Sequence, residues 1–434
     1  MADYSIDNHL DNNSSDLSQI IYLDNNATTC EDKSVIESMI NHLKCSNSFG
    51  NPSSSHLIGI KARYLIDEAR EQVKNAINAS YSNEIIFTSG GTESNNIAIQ
   101  GILKSNINLF QHIITSPFEH PSVENILKYL QNSNKNIQIS YLKVDSNGII
   151  DLEHFRQLLK PETKLVTIMH SNNEIGSIQP IEDIVNICRE YSSYNIIIHS
   201  DASQSIGKVP IDVSHLGIDL LTICSHKFHG PKGIGALYIR QGIKLESIIY
   251  GAQHEQGIRP GTENVLAIIG LGKACQLISN KYILNKRIEQ MKRTRDRLYQ
   301  GLLYNFNQNN DNNNNNNNQY FIIRNGNEQS LPNTLSLTFP GINAKKLVNQ
   351  LSGRLAFSTG SACHEDNQHQ FISTTLKAIG LSCKLAISTI RLTTSYMTTD
   401  YDIDQAIIII TNAIQQQLSS SSSSSSFINQ DQHH

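Results

Sequence analysis

The chain has 434 residues, enough for two or three domains, and carries 35 Lys+Arg against 39 Asp+Glu. A net charge of -4 without a basic stripe argues against a nucleic-acid partner. Seven scattered cysteines without a CxxC pair suit neither a disulfide framework nor a zinc site. No apolar run is long enough to span a bilayer, and the first twenty residues carry four aspartates and no arginine, so the expectation is a soluble cytoplasmic protein with no membrane partner.

In chain order, residues 1–19 are polar and read as a disordered N-terminal segment. From 20 to 264, short apolar runs alternate with amphipathic stretches. Strands are predicted at 84–88, 111–115, 164–169, 195–199, 219–224 and 235–240, and helices at 61–79, 92–104, 121–130, 151–159 and 181–191. This alternation predicts an α/β domain with a mostly parallel sheet flanked by helices. A long helical stretch from 265 to about 304 follows, then an asparagine-rich insertion at 307–319. Runs near 334–339, 346–351, 356–358 and 389–393 complete a smaller α+β domain that ends at 418. The serine-rich residues 419–434 read as a disordered tail, since neither homopolymer can bury apolar area.

In open α/β sheets, ligands gather at the carboxyl ends of strands. Four segments here end a strand in polar residues. In EIIFTSGGTESNN a Ser-Gly-Gly turn precedes a helix starting at Thr92, which makes an anion site from free N–H groups. In NIIIHSDASQSIGK a strand leads to Asp201 and Gln204. His120 follows the strand at 111–115, and Lys227 stands between His226 and His229 after the strand at 219–224. Each has an ordinary alternative: a plain turn, a helix-capping aspartate or a structural histidine. Together, a phosphate cradle, a ring-facing acid, a stacking histidine and a desolvated Schiff-base lysine share one ligand, pyridoxal 5′-phosphate. His226-x-x-His229 lacks a third metal ligand, so no metal is expected.

Eight segments follow one another in order: YLDNNATT, GNPSSSH, FTSGGTESNN, SNNEIG, HSDASQSIGK, SHKFHGPKGIGALY, RPGTEN and STGSACH. With these the chain resembles the fold-type I pyridoxal phosphate enzymes of the class V aminotransferase group, and within it the cysteine desulfurase and selenocysteine lyase family. The resemblance spans 22–396. It implies that Lys227 is the Schiff-base lysine, Asp201 the partner of the pyridine nitrogen, Gln204 a contact of the ring hydroxyl and His120 a stacking group that moves protons. Asn173 would touch cofactor or substrate. Gly91, Thr92, Ser225 and His226 would hold the phosphate, joined by Thr262 from the second subunit of a homodimer. Arg391 would pair with the substrate carboxylate. Cys363, in a run of small residues, would accept the chalcogen from L-selenocysteine or L-cysteine and pass it to an acceptor protein. GAQHE at 251–255 departs from the glycines expected there. SACHED and the missing presequence favour a selenocysteine lyase, with a cysteine desulfurase as the alternative and a cofactor-free scaffold as the remote one.

Overall fold

A computed structural model of the chain describes residues 20–104, 109–192, 196–311, 321–360 and 372–427. Its centre is a seven-stranded sheet. Ile85–Thr88, Gly235–Ile239, Leu220–Cys224, Ile197–Asp201, Thr163–Thr167, Gln111–Thr115 and Ile137–Tyr141 lie side by side in that order. Gly235–Ile239 runs antiparallel to both of its neighbours, and the remaining pairs are parallel. The interior strands are buried on both faces, which is why they read as near-continuous apolar runs.

Successive residues of one strand feed different cores. Ile113 packs with Ile97, Ile99, Leu103 and Leu127 under helices Gly91–Lys104 and Pro121–Ser133. Ile114 faces Ile66, Val73, Val166 and Leu271 under helices Leu57–Ala76 and Val265–Ser279. The second unit is a four-stranded antiparallel sheet of Ser358–Thr359, Thr389–Thr393, Thr334–Thr338 and Ile323–Asn325. Helices Lys281–Asp311 and Asp400–Phe427 contribute Leu298, Leu302, Ile403 and Ile410 to its core. Among the described residues no helix is long and apolar enough to cross a membrane.

Several boundaries differ from the sequence expectation. The strand Ile21–Tyr22, assigned to the 20–264 domain, pairs in parallel with Leu355–Ala356 of the smaller unit, and Leu23 sits in that unit's core. Two residues carry no period, and their partner lies at the far end of the chain. Helix Lys33–Lys44 and strand Ile137–Tyr141 were not among the predicted elements. The long helix from 265 is two, Val265–Ser279 and Lys281–Asp311. They break at Asn280, whose Oδ1 accepts from the Tyr282 and Ile283 amides at 3.0 and 3.2 Å and so caps the second helix. That helix enters the asparagine-rich insertion as far as Asp311, and the rest of the insertion lies outside the described residues. The last helix runs through Ser419–Ser426 to Phe427, where a disordered tail was expected. Extending an established helix costs far less than nucleating one, and serine is an ordinary helix former.

The edge strand Ile85–Thr88 turns its outward amide to a side chain. Phe87 N donates to Glu255 Oε2 at 2.7 Å, and Arg70 grips the same carboxylate with Nη1 and Nη2 at 2.8 and 2.7 Å. Glu255, at the end of the GAQHE segment, holds a positive φ of 45° and places an acid on the sheet edge. Glu255→Ala leaves Arg70 and the Phe87 amide without their acceptor. It should lower unfolding free energy by roughly 3–5 kcal/mol in urea titration, with Glu255→Gln costing less.

Three histidines are locked in the large unit. His112 bonds Thr163 Oγ1 and Ser140 Oγ at 2.9 and 2.8 Å, and His199 bonds Thr167 Oγ1 and Thr222 Oγ1 at 2.8 and 3.0 Å. His170 bonds Ser205 Oγ at 2.8 Å. Burial pushes each down from 6.5 to about 4. Between those values the unfolded chain binds more protons than the folded one, so stability is held above pH 6.5 and lost as pH falls toward 4. Thermal midpoints measured across that window should fall with acidification, and His112→Gln should make the fall shallower.

Candidate active site

A cavity of ≈ 640 Å³ opens at the carboxyl ends of the parallel strands, where the two units meet. Strand Leu220–Cys224 ends in a short turn, Ser225–Lys227, that turns Lys227 back toward the N-terminal loop. Its Nζ donates to the carbonyls of Asn26 and Ala27, both at 2.7 Å. Burial lowers the pKa of this amine, and Arg391 adds to the effect, while Cys224, Asp201 and Asp24 oppose it.

Asp201 is the last residue of strand Ile197–Asp201. Its Oδ1 accepts from Ser203 N at 2.9 Å and Ser203 Oγ at 2.5 Å, and its Oδ2 accepts from Asn95 Nδ2 at 2.9 Å. Asn95 continues to Ser122 Oγ at 2.8 Å, and Ser122 reaches His120 Nδ1 at 2.7 Å. His120 caps helix Pro121–Ser133 by accepting the Ser122 amide on Nδ1, which leaves the ring proton of the neutral form on Nε2. Burial also depresses His120, favouring that neutral form.

The turn Ser89-Gly90-Gly91 opens helix Gly91–Lys104. Gly90 has φ 153°, which a side chain would resist, and a Cβ on Gly91 would come within 3.1 Å of Ser203 Oγ. The first helical amides, with Thr92 exposed beside them, therefore face the cavity. Glu93, in the same turn, takes the Ser89 amide and pairs with Arg259 at 3.1 Å. Across the cavity, Arg391 from strand Thr389–Thr393 donates to Asn173 O at 3.0 Å, Asp24 Oδ1 at 2.7 Å and Ser358 Oγ at 3.1 Å. Its buried Nε has no partner among the described residues.

The cavity thus brings together Gly91, Thr92, His120, Asn173, Asp201, Gln204, His226, Lys227 and Arg391. Asn173 contributes its carbonyl to Arg391, and His226 Nδ1 bonds Thr28 Oγ1 at 3.0 Å. Ser225 is not brought in: its buried Oγ lacks a partner among the described residues and sits against Gly230, where a Cβ would approach to 2.1 Å. Thr262 lines a separate cavity of ≈ 820 Å³ with Arg70, His254 and Glu255. Cys363 lies outside the described residues. Sequence reasoning missed Asn26, Asn95 and Ser203, although all three lie inside or beside the quoted motifs. Besides Lys227, Lys232 lines the cavity and Lys208 is buried behind Gln204. Among the described residues no group of acids, histidines and cysteines could hold a metal ion.

These residues fit pyridoxal 5′-phosphate. A helix start with a glycine that a side chain would crowd, a buried amine, a hydrogen-bonded carboxylate and a guanidinium lining the cavity suit the cofactor's phosphate, carbonyl and ring nitrogen and a substrate carboxylate. The class-V aminotransferase family model matches residues 21–405. The cysteine desulfurase IscS of Dictyoglomus turgidum is 39% identical over 397 residues, covering 91% of this chain and 94% of its own. Its counterpart from Methanosarcina thermophila is 38% identical over 400 residues, covering 91% and 92%. Among solved structures, a NifS-like protein superposes with TM-score 0.81 at 34% identity, over 91% of this chain and 99% of its own. SspA in complex with cysteine superposes with TM-score 0.70 at 34% identity, over 87% and 99%. The chain belongs to the class V aminotransferase family and is a pyridoxal 5′-phosphate-dependent enzyme of its cysteine desulfurase branch.

Proposed function

We propose that this chain is a cysteine desulfurase that converts L-cysteine to L-alanine and hands the sulfur to an acceptor protein. The observation that carries the reading is the convergence of Lys227, Asp201 and Arg391 on one cavity. The relatives from Dictyoglomus turgidum and Methanosarcina thermophila are cysteine desulfurases, and one solved relative is in complex with cysteine, which supports sulfur over the selenium preference inferred from SACHED.

The bound cofactor supplies a ring that accepts electrons from the substrate's α-carbon. Every other role falls to the chain. Arg391, which lines the cavity, orients the substrate carboxylate with its guanidinium. Lys227, whose amine is lowered by burial, holds the cofactor carbonyl and then takes the proton from the α-carbon. Asp201 holds the proton on the pyridine nitrogen. Asn95 and Ser203 fix its carboxylate in place. His120, neutral with Nε2–H, covers the ring and exchanges protons. The Cys363 thiolate attacks the substrate sulfur. The C–S bonding pair passes to the departing carbon, which is protonated to alanine, and Cys363 retains a persulfide. Thr262 reaches the phosphate of the other subunit in a homodimer.

Lys227→Ala should abolish alanine formation and leave no site for cofactor fixation by borohydride. A reduced peptide labelled at Lys208 or Lys232 instead would overturn the assignment. Alanine formed from L-cysteine and L-selenocysteine, assayed side by side, tests the substrate. The expected result is turnover of L-cysteine with a persulfide on Cys363 by mass spectrometry, lost in Cys363→Ser. Turnover of L-selenocysteine alone, without a persulfide, would make the chain a selenocysteine lyase.

A further inference from the structure

Lys208 lies four residues beyond Gln204 and is 3% exposed. It makes no ion pair among the described residues. Its Nζ donates to Gln204 Oε1 at 2.8 Å and to Asn26 Oδ1 at 2.9 Å. Burial holds its pKa well below the ordinary lysine value, and the charges of Lys227 and Arg391 push in the same direction. A methionine would fill comparable space without that desolvation penalty, so packing alone does not call for an amine here. What the amine does provide is a demand for oxygen. Its N–H groups need acceptors, and that requirement fixes which end of each neighbouring amide turns toward it.

We infer that Lys208 is a positioning residue of the cofactor site: by taking Gln204 Oε1, it turns the Gln204 Nε2 group to the cavity as a donor. The geometry closes on itself. With Oε1 engaged by Lys208, one Nε2 proton goes to Asn26 O at 2.9 Å, and the other remains for a ligand in the cavity that Gln204 lines. A flipped carboxamide would set its oxygen against Asn26 O and against the cofactor's ring oxygen. Asn26 is held in the same sense, because its Oδ1 also accepts from Asn333 Nδ2 at 3.0 Å while its Nδ2 donates to Thr334 Oγ1 at 2.9 Å. Lys208 touches neither the cavity nor Lys227; it acts through Gln204 and Asn26. The inference rests on Gln204 being a contact of the cofactor's ring oxygen.

The test is a double-mutant cycle on the full-length apoprotein titrated with pyridoxal 5′-phosphate. Lys208→Met and Gln204→Ala should each weaken cofactor binding by about tenfold, the scale of one directed hydrogen bond. In the Gln204→Ala background, Lys208→Met should add less than about twofold, because its effect has no remaining route. The pH midpoint of the bound cofactor's visible band should move in the same direction in both single variants, which a purely structural defect would not produce. Melting of each apoprotein reports folding separately. If Lys208→Met does not fold, Lys208→Gln, which retains a donor, takes its place with a smaller loss that again vanishes without Gln204. Fully additive losses, or unchanged affinity in a folded variant, overturn the inference. A parent protein that binds no cofactor would instead overturn the reading of the site itself.

Discussion

The carbonyl oxygen of Asn26 accepts from the Lys227 amine at 2.7 Å and from the Gln204 amide at 2.9 Å. Its side chain binds Lys208 and Asn333 through Oδ1, and Asn173 O and Thr334 Oγ1 through Nδ2, while its backbone amide donates to Thr393 Oγ1 at 3.1 Å. Lys227, Gln204 and Lys208 belong to the large unit; Asn333, Thr334 and Thr393 belong to the small one. One residue with every polar atom engaged therefore joins the turn that carries the amine to the sheet that carries Arg391. The geometry of the cavity depends on that junction, because neither unit alone supplies both the amine and the guanidinium.

Burial sets the chemical state of the groups around this junction. Lys227, Lys208, His120 and His226 are all lowered, chiefly by desolvation, which favours neutral amines and neutral rings. The same cause raises Glu119 to about 8 and also raises Glu174. Glu119 accepts from Ser116 Oγ at 2.6 Å and from Met169 N at 2.8 Å, so it anchors the residue next to His120 while favouring its protonated form near neutral pH. Few full charges are left in a cavity built to receive a charged ligand, and those that remain have hydrogen-bond or ion-pair partners. Asp201 has three donors, and Arg391 has Asp24.

The edge of the large sheet illustrates a different constraint. Ile85–Thr88 ends in the turn that opens the anion site, so its position fixes the cradle, yet it has a partner strand on one side only. Glu255 and Arg70 occupy the other side and satisfy the Phe87 amide and the Ile85 carbonyl. The loop that carries Glu255 thus steadies the strand leading into Gly90 and Gly91.

The large sheet was legible in the sequence because interior parallel strands are apolar on both faces and their helices are amphipathic; strand 111–115 and helix 181–191 were located to the residue. Lys227, Asp201, His120 and the Gly90-Gly91 turn were legible for a related reason. Each ends or follows an apolar strand with residues, whether charged groups, a histidine or paired glycines, that packing alone does not explain. What no local pattern encodes is which distant residues meet. The pairing of Ile21 with Leu355, the service of Glu255 to the edge strand, the withdrawal of Ser225 toward Gly230 and the grip of Lys208 on Gln204 join residues whose side chains are individually ordinary. Residue chemistry at the strand ends pointed to the cofactor, and the resemblance of the ordered motifs to a known family pointed to the reaction class. The assignment of each donor to its acceptor was decided by tertiary structure, because a buried polar group is satisfied by whatever the fold brings within about 3 Å, not by its neighbours in the chain.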